Sequence, residues 1–225
     1  MNALIRPVTD ATPGTPPMAV RLTGDSSAFA GVTEVRAGTL AIDGQLGGVT
    51  NVLPGARLIG SGQLGGLVNQ AGGVVSPGRG GVGVLTLTGD YAGASGVLEL
   101  DATLAGDNAP ADRLVVRGAT SGVTPVKINR LAGGTGALTE DGILLVQVDG
   151  ASAPGAFALA QGDYRRGDEH VLVAGAYGYV MRRDAVGGDW RLRSNLEPSE
   201  IPGSPADAPL YQPGVPIYEA YPQAL

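Results

Sequence analysis

The chain has 225 residues, 43% of them hydrophobic, 16% charged and 4% aromatic, so a sizeable core can be buried and must be aliphatic. Its formal charge of −6 argues against a general nucleic-acid binder, which needs a basic face to release counterions. Cysteine is absent, which excludes disulfides, thiolate metal sites and cysteine nucleophiles without fixing a compartment.

Residues 1–17 contain Pro7, Pro13, Pro16 and Pro17 and read as a flexible entry segment. Met1-Asn2-Ala3 runs at once toward Arg6-Pro7 with no signal-peptide pattern, so the chain reads as a fragment of a longer precursor. No apolar run approaches the ~20 residues of a membrane helix, and direct membrane insertion is not expected.

From residue 18 to 156, short apolar runs alternate with turn residues. Leu40-Ala41-Ile42, Ala56-Arg57-Leu58-Ile59, Val84-Leu85-Thr86-Leu87-Thr88 and Val97-Leu98-Glu99-Leu100 read as strands bounded by Gly, Pro or Asp. Leu114-Val115-Val116 and Ile143-Leu144-Leu145-Val146-Gln147-Val148 are further strands. No stretch carries a helical period, and of the 38 glycines 19 lie between Gly31 and Gly96, where each would weaken a helix by about 1 kcal/mol relative to alanine. Within this region Gly44-Gln45-Leu46-Gly47-Gly48 recurs as Gly62-Gln63-Leu64-Gly65-Gly66, an 18-residue echo. Carried outward, the echo sets Leu40 opposite Leu58, Val49 opposite Leu67 and Asn51 opposite Asn69. Self-similarity at this period predicts an all-β solenoid in which each unit is one coil.

Residues 157–196 differ. Five of the ten aromatics lie there, Phe157, Tyr164, Tyr177, Tyr179 and Trp190, with Arg165, Arg166, Arg182 and Arg183. The last coil of a solenoid exposes its core and strand edges, so a cap of larger side chains and hairpins is expected. Val171-Leu172-Val173 and Trp190-Arg191-Leu192-Arg193 are its candidate strands. Residues 197–225 hold seven of the sixteen prolines and read as a Pro-rich linker.

Candidate chemistry is sparse. Gly60-Ser61-Gly62-Gln63-Leu64-Gly65 matches G-x-G-x-x-G, but the following Gly66-Leu67-Val68-Asn69-Gln70-Ala71-Gly72-Gly73 is a poor helix, so a turn between coils is the better reading. Gly133-Gly134-Thr135-Gly136-Ala137 begins like a calcium-binding β-roll, but Leu138 stands where the ligand aspartate belongs. No metal or cofactor is expected. His170 is the lone histidine, without a G-x-S-x-G elbow, and reads as a solvated loop residue. Paired carboxylates could act on polysaccharide, yet Asp141, Asp149, Asp163, Asp168 and Glu169 show no clustering pattern, and no catalytic residue is assigned. Arg182, Arg183, Arg191 and Arg193 are nearly balanced by neighbouring acids and read as a solvated strand face. Arg166-Gly167-Asp168 has a direct functional reading, a receptor-binding tripeptide on an exposed turn. The ordinary alternative is a solvated cap loop.

Several segments in order resemble a known family. They are Val75-Ser76-Pro77-Gly78, Gly83-Val84-Leu85-Thr86-Leu87-Thr88-Gly89-Asp90-Tyr91, Gly96-Val97-Leu98-Glu99-Leu100 and Ala111-Asp112-Arg113-Leu114-Val115-Val116-Arg117-Gly118, then Gly175-Ala176-Tyr177-Gly178-Tyr179-Val180 and Asp189-Trp190-Arg191-Leu192. Together they resemble the C-terminal passenger region of bacterial autotransporters of the pertactin-like group. The resemblance covers roughly residues 31–195. The tail from Leu210 to Pro222 is similar to the segment leading into the translocator barrel of such proteins. It implies a right-handed, single-stranded parallel β-helix with a C-terminal hairpin cap. It also implies periplasmic transit, type V secretion, display on or release from a Gram-negative cell, and the chain's own translocator barrel as partner. It further implies autochaperone activity, in which the capped end folds first and templates the coils upstream. Tyr177, Tyr179, Trp190 and Leu192 are the residues expected to pack that nucleus. The competing expectations are an adhesin that meets a host surface or serum protein through Arg166-Gly167-Asp168 or a β-helix face, and, less favoured, a polysaccharide-acting enzyme.

Overall fold

The computed structural model describes residues 3–5, 19–196 and 208–211. The entry segment expected over 1–17 and the Pro-rich linker expected over 197–225 lie outside the described residues except at 3–5 and 208–211. Strands are numbered along the chain. Each coil lays down three strand segments, and successive coils stack them into three parallel ladders.

The first ladder contains β2 (Ala19–Leu22), β5 (Gly38–Ile42), β7 (Ala56–Gly60), β9 (Val74–Pro77), β12 (Val97–Ala102), the second half of β14 (Thr120–Arg130) and β16 (Phe157–Leu159). The second contains β3 (Asp25–Ser26), the starts of β6 (Gln45–Val52) and β8 (Gln63–Gln70), then β10 (Val84–Leu87), β13 (Arg113–Val116) and β15 (Ile143–Val148). The third contains β1 (Ala3–Ile5), β4 (Val32–Val35), the ends of β6 and β8, β11 (Tyr91–Ala94) and the start of β14. Parallel pairing throughout makes this a β-helix, and the all-β, capped solenoid expected from the sequence is the observed architecture.

Alternation explains the core. In β12, Leu98, Leu100 and Ala102 are buried while Val97, Glu99 and Asp101 are half-exposed. Stacking then aligns the inward positions. Val20, Leu40, Leu58, Val75, Leu98, Val126 and Leu159 follow one another in register down the first ladder. Leu46, Leu64, Leu87, Val116 and Val148 do so down the second. Each fully buried Leu or Val contributes roughly 1.5–3 kcal/mol, so the columns carry the fold. Along the second column the spacing widens from 18 residues to 23, 29 and 32. Most of the added residues lie in the loops between strands.

The 18-residue echo holds for Leu40 opposite Leu58, but not beyond the glycine pair. A register shift between Leu46 and Val49 sets Val49 beside Gly66, Thr50 beside Leu67 and Asn51 beside Val68. Val49 therefore points outward and Leu67 inward, and Asn51 is half-exposed whereas Asn69 is buried. The cause is a bulge at Gly47-Gly48, since one extra residue in one strand reverses the facing of all that follows.

That corner recurs. Gly31, Gly48, Gly65, Gly89, Gly118 and Gly150 stack coil on coil through short backbone bonds, such as Gly89 N–H to Gly65 O at 2.8 Å and Gly150 N–H to Gly118 O at 3.1 Å. A Cβ on Gly65 would fall on the Gly48 carbonyl. Only hydrogen at Cα lets the main chains approach so closely.

Candidate functional site

At its C-terminal end the ladder changes direction. β15 is continued by four antiparallel strands. They are β20 (Trp190–Arg193), β19 (Tyr177–Arg183), β18 (Glu169–Ala174) and β17 (Tyr164–Arg166). The edge of β15 is covered by β20, with Ile143 opposite Leu192 and Val146 opposite Trp190. A covered edge cannot template further strands.

The cap holds three of the four expected packing residues inside. Tyr179, Leu192 and Trp190 are buried, and Leu192 lies between Ile143 and Met181. Tyr177 is half-buried, packs against the same core, and has its ring 5.6 Å from that of Tyr211. Beside it, β21 (Asn195–Leu196) pairs with β22 (Ala208–Pro209), Gly178 N–H bonds Leu210 O at 2.7 Å, and Leu210 packs with Val171 and Val180.

Trp190 ends an aromatic column that begins well up the solenoid. Tyr91 stacks on Phe157 with centroids 5.5 Å apart, and Phe157 meets Trp190 edge-on, also at 5.5 Å. Such pairs add about 0.5–1.5 kcal/mol beyond area burial. The polar ends are satisfied. Trp190 Nε1–H donates to Ser152 Oγ at 2.9 Å, and Ser152 Oγ also receives Thr120 Oγ1–H at 3.1 Å. The Tyr91 hydroxyl lies 3.1 Å from Thr124 Oγ1, and burial pushes its phenol above the ordinary value despite that bond.

Tyr179 ties down the two long loops of the preceding coils. Its hydroxyl accepts the Ala137 N–H at 2.8 Å and lies 3.0 Å from the carbonyls of Ala105 and Ala137, to one of which it donates. Burial pushes this phenol up as well. Ser194 adds a reciprocal pair: Thr139 N–H donates to Ser194 Oγ, and Ser194 N–H to Thr139 Oγ1, each at 2.9 Å. Asp107 fastens one loop to the other by accepting the N–H groups of Glu140 at 3.1 Å and Gly142 at 2.5 Å.

Sequence reasoning counted Phe157 among the cap aromatics without placing it in the packing set, and it missed Tyr91, Ser152 and Ser194 as members of this site. Tyr91 and Phe157 carried one usable signal, as large rings in a core otherwise built of Val and Leu. Ser152 and Ser194 carried none, because their partners are 38 and 55 residues away.

Arg166-Gly167-Asp168 forms the tip of the β17–β18 hairpin. Arg166 pairs with Glu169 across a two-residue turn whose first residue, Gly167, has φ 60°, the left-handed backbone of a tight hairpin turn. Gly167 and Asp168 are exposed, while Arg166 Nη2 bonds Glu169 Oε2 at 3.0 Å. Of the other candidate acids, Asp149 pairs with Arg117, Asp163 with Arg130, and Glu169 with Arg182 as well. Among the described residues no three His, Asp or Glu groups converge as metal ligands. His170 lines a cleft of about 230 Å³ with Phe157, Leu159, Asp168, Met181 and Trp190.

The family model described as Autochaperone Domain Type 1 matches residues 62–181, from the start of β8 into β19. The chain belongs to the autochaperone family of autotransporters. It is 43% identical over 212 residues to the protein named Adhesin BmaC autotransporter of Brucella suis biovar 1 (strain 1330), covering 92% of this chain and 6% of that protein. It is 38% identical over 136 residues to Uncharacterized protein YdeU of Escherichia coli (strain K12), covering 58% and 27%. To Autotransporter adhesin AIDA-I of Escherichia coli it is 34% identical over 131 residues, covering 56% and 9%. The chain thus spans about a quarter or less of the curated relatives it matches. The matched stretch runs from the coils into the first cap strands and contains Tyr91, Phe157 and Tyr179.

Proposed function

We propose that this chain is a non-catalytic passenger segment whose capped end nucleates β-helix folding at the surface of a Gram-negative bacterium, after periplasmic transit and alongside its own translocator barrel. The observation that carries this reading is the Tyr179 hydroxyl, bonded to loops 42 and 74 residues away. Contacts of such separation are costly to form first, because loop closure precedes the reward. Once they exist, each further coil adds by local pairing on an existing edge, which is the cheap step in a solenoid. Among the described residues the far edge of β2 carries no paired strand, and Val20 and Leu22 beside it are only partly buried. The division of labour follows: residues 157–196 as cap and nucleus, residues 18–156 as the coils it templates.

The test is refolding from urea followed by far-UV circular dichroism, with surface display measured in parallel. Trp190→Ala and Tyr179→Phe should slow refolding and reduce display. Wild-type refolding rates and display in both variants would retire the reading.

A second reading is adhesion to a host protein through Arg166-Gly167-Asp168, supported by the exposed hairpin tip and by the relatives named as adhesins. Its weakness is that the Arg166 guanidinium is held by Glu169 rather than splayed away. Asp168→Glu should abolish cell attachment if the tripeptide is the contact, and unaltered attachment removes it.

A further inference from the structure

Among the described residues every arginine except Arg113 and Arg183 meets a carboxylate or a carbonyl of the chain. Arg113 is the one of the two that lines a cavity. It opens β13, where its backbone N–H donates to Gly83 O at 2.9 Å. Its side chain is half-buried, and its Nε is buried without an acceptor. The neighbouring Asp112 cannot serve. That carboxylate is turned inward, onto the Gly83 and Asp101 N–H groups at 2.7 and 2.8 Å, and alternation sends the next side chain the other way. A cationic donor held half inside a fold without a partner calls for an acceptor from outside the chain.

The cavity measures about 280 Å³ and is lined by Arg113 with Val82, Asp107, Asn108, Pro110 and Leu144. Arg113 and Asp107 share it without forming an ion pair. We propose that it binds a sugar acid, with the carboxylate held by the Arg113 guanidinium and the hydroxyls by Asp107 and Asn108. A planar guanidinium grips a carboxylate with two parallel hydrogen bonds, which no neutral sugar can offer. A carboxylate accepts about four hydrogen bonds. Asp107 already takes three N–H contacts from Glu140 and Gly142, which leaves room for a hydroxyl rather than for an ammonium group with its three donors. The Asn108 amide can both donate and accept, as a ring hydroxyl requires. Val82, 48% exposed, and Leu144 supply aliphatic surface for the C–H face of the ring.

Size and rigidity set the strength. The volume is at the small end of ligand pockets, which start near ~300 Å³, and suits one monosaccharide unit. A ligand of roughly a dozen heavy atoms on one charged anchor binds in about the millimolar range. The anchor is held in place, because β13 is paired on both sides, by β10 and β15, and Asp107 is fixed to the loop that carries Glu140. The site is separate from the Tyr179 hydroxyl contacts and from the β17–β18 hairpin tip, so its failure would leave the folding and adhesion readings untouched.

Titration of the isotope-labelled chain, followed by the backbone amide signals of Asn108 and Arg113, tests it. The probes are glucuronate, glucose, acetate and glycine. Glucuronate should shift both signals and saturate, with the other three weaker by about tenfold or more. Arg113→Gln should weaken glucuronate binding about tenfold, and Arg113→Lys, which keeps the charge and loses the fork, by less. Arg117→Gln, whose guanidinium belongs to Asp149, should change nothing. Because Arg113 has no side-chain partner in the chain, Arg113→Gln should keep the wild-type Tm. Asn108→Ala, at an exposed loop position, gives a second variant that does not depend on this. Acetate acting as well as glucuronate would leave an adventitious ion only. Glycine binding as tightly would make the ligand a zwitterion, and glucuronate binding that survives Arg113→Gln and Asn108→Ala would place it elsewhere. Each of these results, like the absence of any shift, overturns the proposal.

Discussion

Trp190 and Ser152 are hydrogen-bonded at 2.9 Å, indole N–H to hydroxyl, across 38 residues, and both are buried. This one contact joins the cap to the last full coil, and it shares its hydroxyl with Thr120 one coil higher. Trp190→Ala should cost about 3–5 kcal/mol, the range for emptying a large aromatic site in a core. Trp190→Phe keeps most of the packing and drops the donor, for a loss of about 1–2 kcal/mol. Urea unfolding monitored by far-UV circular dichroism separates the two, because tryptophan fluorescence vanishes in both.

Tyr179→Phe removes a single oxygen yet strands the part-buried Ala137 N–H and a carbonyl that the hydroxyl served. The expected loss is about 1–3 kcal/mol, more than a surface hydroxyl would give. Hydrogen exchange should locate the effect. Protection at Ala137 should fall, while that at Leu58 and Leu98 in the first ladder should hold.

Gly65→Ala should destabilise by more than about 2 kcal/mol, since its Cβ would sit on the Gly48 carbonyl and the corner has no slack. Gly24→Ala is the control, because a Cβ there meets open space. A Tm for Gly65→Ala equal to that of Gly24→Ala would show that the corner yields.

Acid should loosen the first ladder through Glu99. Burial pushes its carboxyl up, but hydrogen bonds and charges from Lys127 and Arg57 outweigh this and hold it below its ordinary value of 4.5. A depressed carboxyl stabilises the fold above that value and loses the contribution as pH falls through the folded-state pKa. Asp112 works in the opposite sense. Burial raises its carboxyl despite bonds from the Gly83 and Asp101 N–H groups, so its contribution is full below 3.8 and declines as pH rises through the folded value. Glu99→Gln should therefore flatten the acid limb of a Tm-against-pH curve below about pH 4.5, by less than about 1 kcal/mol because both cations are part-exposed.

Particular residues show how far the sequence could be read. Leu98 and Leu100 announced their facing by strict alternation, and the echo aligned Leu40 with Leu58 correctly, because both signals are local and obey strand geometry. The same echo misplaced Val49 against Leu67. Both copies contain Gly-Gly, so letter identity hid a bulge that only backbone conformation reveals. Tyr179, Trp190 and Leu192 were foreseeable as a plug, because an open solenoid end requires large side chains. Their partners were not. Ala105, Ser152 and Tyr91 become neighbours only after whole coils have wound, and no short-range pattern encodes that distance.

The widening spacing of the second column has one more implication. Near the N-terminal end, a turn of the helix is little more than its strands, 18 residues from Leu46 to Leu64. There a passenger can be lengthened or trimmed by whole windings while the plug beneath stays untouched. Excising residues 45–62 would rejoin Gly44 to Gln63 and leave a shorter, still continuous spindle. Near the plug the same surgery would sever the loops that Tyr179 grips, so evolutionary tinkering with length belongs at the far end.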